Sequence, residues 1–248
     1  MKSIVFHIGF PKTATTYLQK YIFPQLEKKD WLVVDPFFNN TNHYNEFRKN
    51  PNYFNQKQFE NKNIFLSSEY LSDPFRDFNY NKAYLDMLDK IYEYPIFIIV
   101  TREDIINSLY LQTIKTGSSI SASRFLEERK ILNLDTTNFS ELPHLCDLVL
   151  DFEELKSEPN TFLSRLKTFV DFDFQYVNKK NTNTSYGFIS VAISRFLNLF
   201  FRSMNNPHGL IPLPYRHTHL FTFLRRYKWY RDLDKKKNYF KHKKEGEL

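Results

Sequence analysis

The sequence predicts an α/β fold in which a central parallel β-sheet is flanked by helices in three layers. Short apolar runs alternate with stretches of helical spacing along most of the chain. The apolar runs are continuous and do not alternate with polar residues, as expected for strands buried on both faces of a parallel sheet. A Gly/Pro turn after the first run leads directly into helical spacing.

The strands are predicted from runs of four to six residues that are mostly apolar and often β-branched. They span residues 3–8, 31–34, 63–68, 95–100 and 148–151. The run at 95–100 is the strongest, because Ile96 to Val100 is uninterrupted and has the character of a central strand.

Helices are predicted where apolar residues recur every three or four positions. They span residues 15–28, 80–93, 104–115, 159–170 and 187–204. Pro24 is expected to kink the first helix or to end it early. Residues 36–62 are Asn-rich and polar, which predicts a loop with short helical pieces.

Length and composition indicate one hydrophobic core. The chain has 248 residues, of which 42% are hydrophobic and 18% aromatic. The single cysteine, Cys146, excludes an internal disulfide framework and favours a reducing compartment. No run approaches the roughly 18 apolar residues of a membrane span. We therefore expect a cytoplasmic protein.

Positive charge is concentrated at the end of the chain. Residues 225–248 hold ten Lys or Arg and four Asp or Glu, which leaves the preceding part close to neutral within the total of +7. We predict a domain over 1–224 followed by a basic aromatic tail over 225–248. Three interpretations of the tail remain open: a solvated amphipathic helix, a membrane-surface contact, or a binding segment for a polyanion. No other feature favours a nucleic-acid partner.

A polar motif follows the first predicted strand. The stretch HIGFPKTATTYLQ, residues 7–19, holds Lys12 and a cluster of three threonines. A strand, a tight turn and a helix start form the usual geometry for holding a phosphate, because the first helical N–H groups lack partners within the helix. Pro11 stands where a Walker A loop requires its second glycine, so a Walker A motif is absent.

The motif resembles the 5′-phosphosulfate loop of sulfotransferases that use 3′-phosphoadenosine 5′-phosphosulfate (PAPS), P-K-[ST]-G-T-T-x-L. The resemblance implies a P-loop-like fold and a cofactor-binding loop formed by Pro11, Lys12, Thr13, Ala14, Thr15 and Thr16. Ala14 replaces the usual glycine of the family. This departure matters if the position requires a positive φ.

A second motif follows the strongest strand. In the same family an Arg at a strand end and a Ser on the next helix bind the 3′-phosphate, which here implies Arg102 and Ser108. The two residues are closer in sequence than is usual in the family. The segment at 148–155 resembles a strand and turn of the same family. The segment at 179–198 resembles the bacterial, carbohydrate-type branch, which implies a glycan or glycolipid hydroxyl as the acceptor.

The resemblance implies in-line transfer of a sulfuryl group from PAPS, with PAP as the product and no metal. Lys12 would stabilise the leaving phosphate, since a lysine is a movable point charge. Glu69 follows a predicted strand and would be the general base. His7, inside the first strand, is predicted to be a hydrogen-bonded core residue.

Two other functions remain open from the residues alone. One is a nucleotide kinase-like enzyme with a P-loop, which would require magnesium ligands and a phosphate-binding glycine. The other is a non-catalytic protein that binds a nucleotide or a polyanion. The oligomeric state is not indicated by any pattern in the chain.

Overall fold

Five strands form one parallel β-sheet in the computed structural model of the protein. They are β1 (Ile4–Gly9), β2 (Trp31–Val34), β3 (Asn63–Ser68), β4 (Ile96–Thr101) and β5 (Leu148–Asp151). Their order is β2-β3-β1-β4-β5, and every neighbouring pair is parallel. The α/β fold class with a central parallel sheet is confirmed. Three strands have the predicted bounds, while β1 and β4 each begin and end one residue later.

The structure describes residues 3–10, 12–72, 76–131, 137–178, 187–200, 221, 223–224, 227–235 and 239. The α-helices within them are α1 (Thr15–Tyr17), α2 (Thr41–Lys49), α3 (Phe78–Ile91), α4 (Ile105–Lys115), α5 (Ala122–Ile131), α6 (Thr137–Glu141), α7 (Phe152–Ser157), α8 (Pro159–Val170), α9 (Phe188–Asn198) and α10 (Lys228–Leu233). Short 3₁₀ turns span Tyr53–Asn55, Lys57–Phe59, Glu69–Ser72 and Leu142–Leu145.

The chain forms two compact units. The first comprises residues 1–103 and 132–178 and contains the whole sheet. The second comprises residues 104–131 and 179–248. The predicted division into a domain over 1–224 and a tail over 225–248 stays a prediction.

Helices cover both faces of the sheet in the first unit. On one face, Phe6 of β1 contacts Phe47 of α2, with 6.0 Å between ring centroids. On the other face, Phe65 of β3 contacts Phe23, with 4.5 Å between centroids. Each of these side chains is almost fully buried, and burial of a phenylalanine contributes about 2–3 kcal/mol. The predicted three-layer arrangement follows from these contacts.

The helical segment after β1 differs from a regular α-helix. It has one α-turn at α1, then a π-helix over Leu18–Ile22 and a 3₁₀-helix over Phe23–Lys29. Pro24 lies in the first turn of the 3₁₀-helix. Because proline has no N–H and its ring clashes with the preceding turn, it disfavours a continuous α-helix. The expected disruption at Pro24 is confirmed.

The second unit has its own aromatic core. Tyr110 of α4 packs against Phe125 of α5, with 5.4 Å between ring centroids. Val191 of α9 and Tyr230 of α10 belong to the same buried cluster. Part of the predicted basic tail is therefore packed into this core through Tyr230, while its neighbour Trp229 is exposed.

A buried carboxylate from the tail caps α9. Asp234 accepts hydrogen bonds from the backbone N–H of Gly187 (3.3 Å) and of Ser190 (2.8 Å), and a further one from the Ser190 hydroxyl. A β-carbon added to Gly187 would lie 2.0 Å from the carbonyl oxygen of Asp234. The close approach therefore depends on a glycine at 187. Asp234 supplies the side-chain cap that Gly187, at the N-cap position of α9, has no side chain to provide.

No helix in the described part of the chain is long and apolar enough to span a membrane.

We expect Asp234→Ala to lower the free energy of unfolding of the protein by about 1–3 kcal/mol, because buried N–H groups at the start of α9 would lose their acceptor. Asp232→Ala removes the same charge from an exposed position of α10, the helix that Asp234 directly follows. It should change stability by less than about 0.5 kcal/mol. Urea unfolding followed by circular dichroism measures both, and equal shifts would contradict the capping role.

Candidate active site

Three charged side chains of the first unit follow three neighbouring strands. Lys12 follows β1, Glu69 follows β3 and Arg102 follows β4, and β1 lies between the other two strands. The carboxyl ends of parallel strands meet at one edge of the sheet, where open α/β folds bind their ligands. The structure thus brings three of the predicted site residues together at this edge.

The loop after β1 has two residues in the left-handed region of φ. Lys12 has a φ of 71° and Ala14 has a φ of 62°. Both side chains have a β-carbon, so each conformation costs about 1–2 kcal/mol relative to the right-handed one. The position of Ala14 does require a positive φ, which explains why a glycine would suit it. Pro11 lies outside the described residues.

The three threonines of the loop have different surroundings. Thr13 is buried, and its hydroxyl donates a hydrogen bond to the carbonyl of Phe10 at 2.7 Å. Thr15 is also buried, and its hydroxyl lies 3.4 Å from the same carbonyl. Thr16 is exposed. Thr13 therefore closes the loop, whereas the Thr16 hydroxyl faces solvent. The predicted contacts of all three with a phosphate stay predictions.

Gly9, the last residue of β1, allows two elements to meet closely. A β-carbon at Gly9 would lie 2.8 Å from the Thr15 hydroxyl oxygen and 3.2 Å from Cγ of Glu69. The 3₁₀ turn that begins at Glu69 is fixed to the same residue, because the Ser72 hydroxyl donates to the Gly9 carbonyl at 3.0 Å. A glycine at this position thus lets the Glu69 side chain reach the loop.

The charges of Lys12 and Glu69 are coupled. Partial burial raises the pKa of Glu69 above its usual range, while the Lys12 charge and a hydrogen bond from Thr15 lower it by less. Partial burial also lowers the pKa of Lys12, the Glu69 carboxylate raises it, and the Arg102 guanidinium lowers it. Glu69 is exposed as a residue, so the burial of its carboxylate is partial. Such shifts are typical of groups that exchange protons during catalysis.

Arg102 contacts the backbone of the loop after β1 and an aromatic ring. Its Nη1 donates a hydrogen bond to the backbone carbonyl of Lys12 at 3.1 Å. Its guanidinium also lies over the ring of Phe152, 4.6 Å from the centroid. Phe152 begins α7, directly after β5, and Lys156 approaches the same ring at 4.0 Å. Phe152 therefore helps to orient the Arg102 guanidinium, which also donates to the backbone of the loop.

A buried polar network joins β1, β3 and the helical segment after β1. His7 is fully buried, and its Nδ1 is 2.8 Å from the Ser67 hydroxyl. Gln19 donates to the carbonyl and to the hydroxyl of Ser67, at 3.1 Å each. Burial lowers the pKa of His7 to about 3, so this side chain is neutral near pH 7. The prediction of a hydrogen-bonded core histidine is confirmed.

Ser108 belongs to the second unit, where it lies half-buried on α4. Its backbone N–H donates to the carbonyl of Asp104 at 2.9 Å, as expected for the first turn of this helix. Its contact with a 3′-phosphate stays a prediction.

Two site residues were missed by the sequence reasoning. Gly9 lies within the motif over residues 7–19, but its close approach to Thr15 and Glu69 was not predicted. Phe152 carried no signal at all, because its partner Arg102 is fifty residues away in the chain. Both act by positioning other groups and have no charge or nucleophile that would single them out.

No cluster of three or more His, Cys, Asp or Glu side chains suited to a metal ion occurs among the residues that the structure describes. The cationic groups of the site suit an anion, with Lys12 and Arg102 on neighbouring strand ends. The carboxylate of Glu69 beside them suits acceptance of a proton.

Comparisons with known proteins give structural likenesses only. No family model and no curated protein matches the chain. The sulfotransferase domain of the Synechococcus PCC 7002 olefin synthase has a TM-score of 0.42 at 13% identity, over 75% of this chain and 82% of that domain. The sulfotransferase domain from the curacin biosynthetic pathway has a TM-score of 0.41 at 13% identity, over 89% and 98%. At these values neither likeness supports an activity for this chain.

We expect Ala14→Gly to raise the free energy of unfolding by about 0.5–1 kcal/mol, because glycine adopts the positive φ of this position without steric cost. The matched control is Ala83→Gly on the exposed face of α3. It should lower stability by about 1 kcal/mol, because glycine is a poor helix former. Chemical denaturation of both variants measures the difference. Destabilisation of similar size in both would contradict the strained loop.

Proposed function

We propose that the protein is a sulfotransferase that moves a sulfuryl group from PAPS to an acceptor hydroxyl. The observation that carries the proposal is the position of Lys12 in the turn after β1, between Glu69 on one neighbouring strand end and Arg102 on the other. The resemblance of residues 11–18 to the phosphosulfate loop of this enzyme family supports the same assignment.

Lys12 stabilises the leaving group in this proposal. The acceptor oxygen forms a bond to sulfur, and the bond between sulfur and the bridging phosphate oxygen breaks. The electron pair of that bond remains on the nucleotide phosphate, which leaves as PAP with one additional negative charge. A cation beside that oxygen stabilises the charge as it develops, and partial burial strengthens the interaction. Thr15, Thr16 and the backbone N–H groups at the start of α1 bind the 5′-phosphate.

Glu69 accepts the proton of the acceptor hydroxyl. Partial burial raises the pKa of its carboxylate, which makes it a stronger base than a fully solvated glutamate. A hydrogen bond from Thr15 holds the carboxylate beside the loop. Gly9 has no side chain that would crowd Cγ of Glu69. Because the base is already held beside the lysine, the reaction does not include the entropic cost of positioning the base.

Arg102 binds the 3′-phosphate in this proposal. A guanidinium suits a phosphate because it donates several hydrogen bonds in one plane. The Phe152 ring and the Lys12 carbonyl limit the orientations of Arg102. No metal is required in this scheme.

The acceptor in this proposal is a glycan or glycolipid hydroxyl. This assignment rests on the resemblance of residues 179–198 to the carbohydrate-type branch; residues 179–186 lie outside the described residues. We also propose a cytoplasmic location, supported by the single cysteine. A membrane-surface or polyanion contact of the tail over 225–248 remains a proposal supported by its charge alone.

We expect the protein to bind 3′,5′-adenosine bisphosphate more tightly than 5′-AMP in calorimetric titration. Lys12→Ala and Arg102→Ala should each weaken bisphosphate binding by about 10-fold or more, since a hydrogen bond to a charged group contributes about 1.5–3 kcal/mol. Lys12→Ala should also abolish transfer of the sulfuryl group without unfolding the protein.

The matched control for these variants is Lys29→Ala. Lys29 is an exposed lysine that ends the helical segment following the loop of Lys12. Its ammonium group lies 3.6 Å from the Asp171 carboxylate. It should leave binding unchanged. Equal binding of the bisphosphate and of 5′-AMP would contradict a 3′-phosphate site. Bisphosphate binding that depends on Lys12 and Arg102, together with no measurable transfer reaction in the wild type, would favour a non-catalytic binding protein.

We expect a bell-shaped dependence of kcat/KM on pH. Activity rises as Glu69 deprotonates, and its raised pKa places this limb at higher pH than for an ordinary glutamate. Activity falls as Lys12 deprotonates, and its lowered pKa places this limb at lower pH than for an ordinary lysine. Initial rates measured across the pH range give both limbs.

The Glu69→Gln variant tests the assignment of the acidic limb. The amide does not titrate, so this limb should disappear and the residual activity should be lower by about 10²-fold or more. A limb that persists at the same pH in Glu69→Gln would assign the base to another group.

A further inference from the structure

Three large aromatic side chains are exposed where β2 and β3 end. Phe37 is 66% exposed, Phe38 is 44% exposed and Tyr70 is 58% exposed. We call Phe37, Phe38 and Tyr70 the aromatic patch. Such side chains usually lie inside a protein, and several of them together on a surface mark a binding site.

Hydrogen bonds to a buried carboxylate fix the loop that carries the exposed Phe37 and Phe38. Asp35 is fully buried, and its carboxylate accepts hydrogen bonds from the N–H of Phe37 at 2.8 Å and from that of Phe38 at 2.7 Å. The Asn39 side chain donates to the same carboxylate and also to the carbonyl of Gln19 at 2.8 Å. The exposed rings therefore belong to a loop whose backbone is fixed, which lowers the entropic cost of binding a ligand.

The aromatic patch lies on one side of the proposed catalytic groups. Val34, the last residue of β2, is paired with Leu66, and β3 continues two residues further to Ser68. Paired strands lie about 4.8 Å apart, so Phe37 and Phe38 follow the strand next to the one that leads to Tyr70. Tyr70 directly follows Glu69. Along the edge of the sheet, the strand ends therefore present first the aromatic patch, then Glu69, then Lys12 and finally Arg102. The patch borders the proposed base on the side away from Arg102.

Positive charge accompanies the rings of the patch. The ammonium group of Lys20 lies 5.8 Å from the Phe38 ring centroid, and the guanidinium of Arg48 lies 4.9 Å from that of Tyr70. Both residues are exposed. The surface thus combines flat apolar rings with cations, which suits a ligand that has an apolar ring face and a negative charge.

We infer that the aromatic patch, with Lys20 and Arg48, binds an acidic saccharide as the acceptor. The C–H face of a sugar ring stacks on the aromatic rings, and its carboxylates face the two cations. A hydroxyl of the bound sugar then lies toward Glu69. This inference rests on the proposed function, because that function supplies the reaction in which the saccharide would take part.

Titration of the protein with tetragalacturonate, followed by saturation-transfer NMR without any nucleotide, tests the surface directly. We expect measurable binding that Phe38→Ala and Tyr70→Ala each weaken by about 5-fold or more, because an aromatic contact is lost. The methyl ester of the same tetrasaccharide has the same ring faces without the charges. It should bind more weakly, and Arg48→Gln should reduce the preference for the acid form.

The control is Tyr94→Ala. Tyr94 is 80% exposed and precedes β4, so it lies at the opposite end of the strands from the patch. This variant should bind tetragalacturonate as the wild type does. Unchanged binding in the patch variants, equal binding of the acid and its ester, or no binding at millimolar concentration would each overturn the inference. Preferential binding of 4-nitrophenol would overturn it in favour of a phenolic acceptor.

The test separates this inference from the proposed function. Bisphosphate binding reports on Lys12 and Arg102, and the patch variants should leave it unchanged. If the bisphosphate binds but tetragalacturonate does not, the sulfotransferase assignment stands and the acceptor is not an acidic saccharide. If tetragalacturonate binds the patch but no bisphosphate binds, the inferred role as acceptor is overturned together with the proposed reaction.

Discussion

β1 is hydrogen-bonded to β3 on one side and to β4 on the other. Both pairings are parallel, so the three chain segments that follow these strands all begin at one edge of the sheet. Residues separated by up to 90 positions in the chain become neighbours for this reason. Lys12, Glu69 and Arg102 owe their proximity to this pairing, and so does the bond between the Arg102 guanidinium and the Lys12 carbonyl.

The loop after β1 combines strain with tight anchoring. Two non-glycine residues with positive φ are unfavourable, and contacts from the surrounding structure offset this cost. The Thr13 hydroxyl binds the Phe10 carbonyl inside the loop, and Arg102 binds the loop from the neighbouring strand. In the proposed reaction this anchored loop presents Lys12 and the start of α1 to the phosphate.

Burial shifts the pKa of Glu69 and that of Lys12 in opposite directions, and both shifts favour the neutral forms. Each charge partly offsets the burial of the other. A negatively charged ligand beside Lys12 would favour its protonated form, while loss of a proton from the acceptor would favour a protonated Glu69. The pair is therefore suited to a reaction in which negative charge moves toward the lysine and a proton moves toward the glutamate.

Local patterns in the sequence determined the strands, the turn after β1 and the position of Lys12 at a helix start, because these depend on neighbours within a few residues. Contacts between distant segments were decided only by the tertiary structure. The strand order places Glu69 beside the loop after β1, and the lack of a side chain at Gly9 leaves room for it. The ring of Phe152 packs against the Arg102 guanidinium. The exposure of the aromatic patch was also decided there, because a buried Asp35 carboxylate fixes the loop that holds two of its rings in solvent.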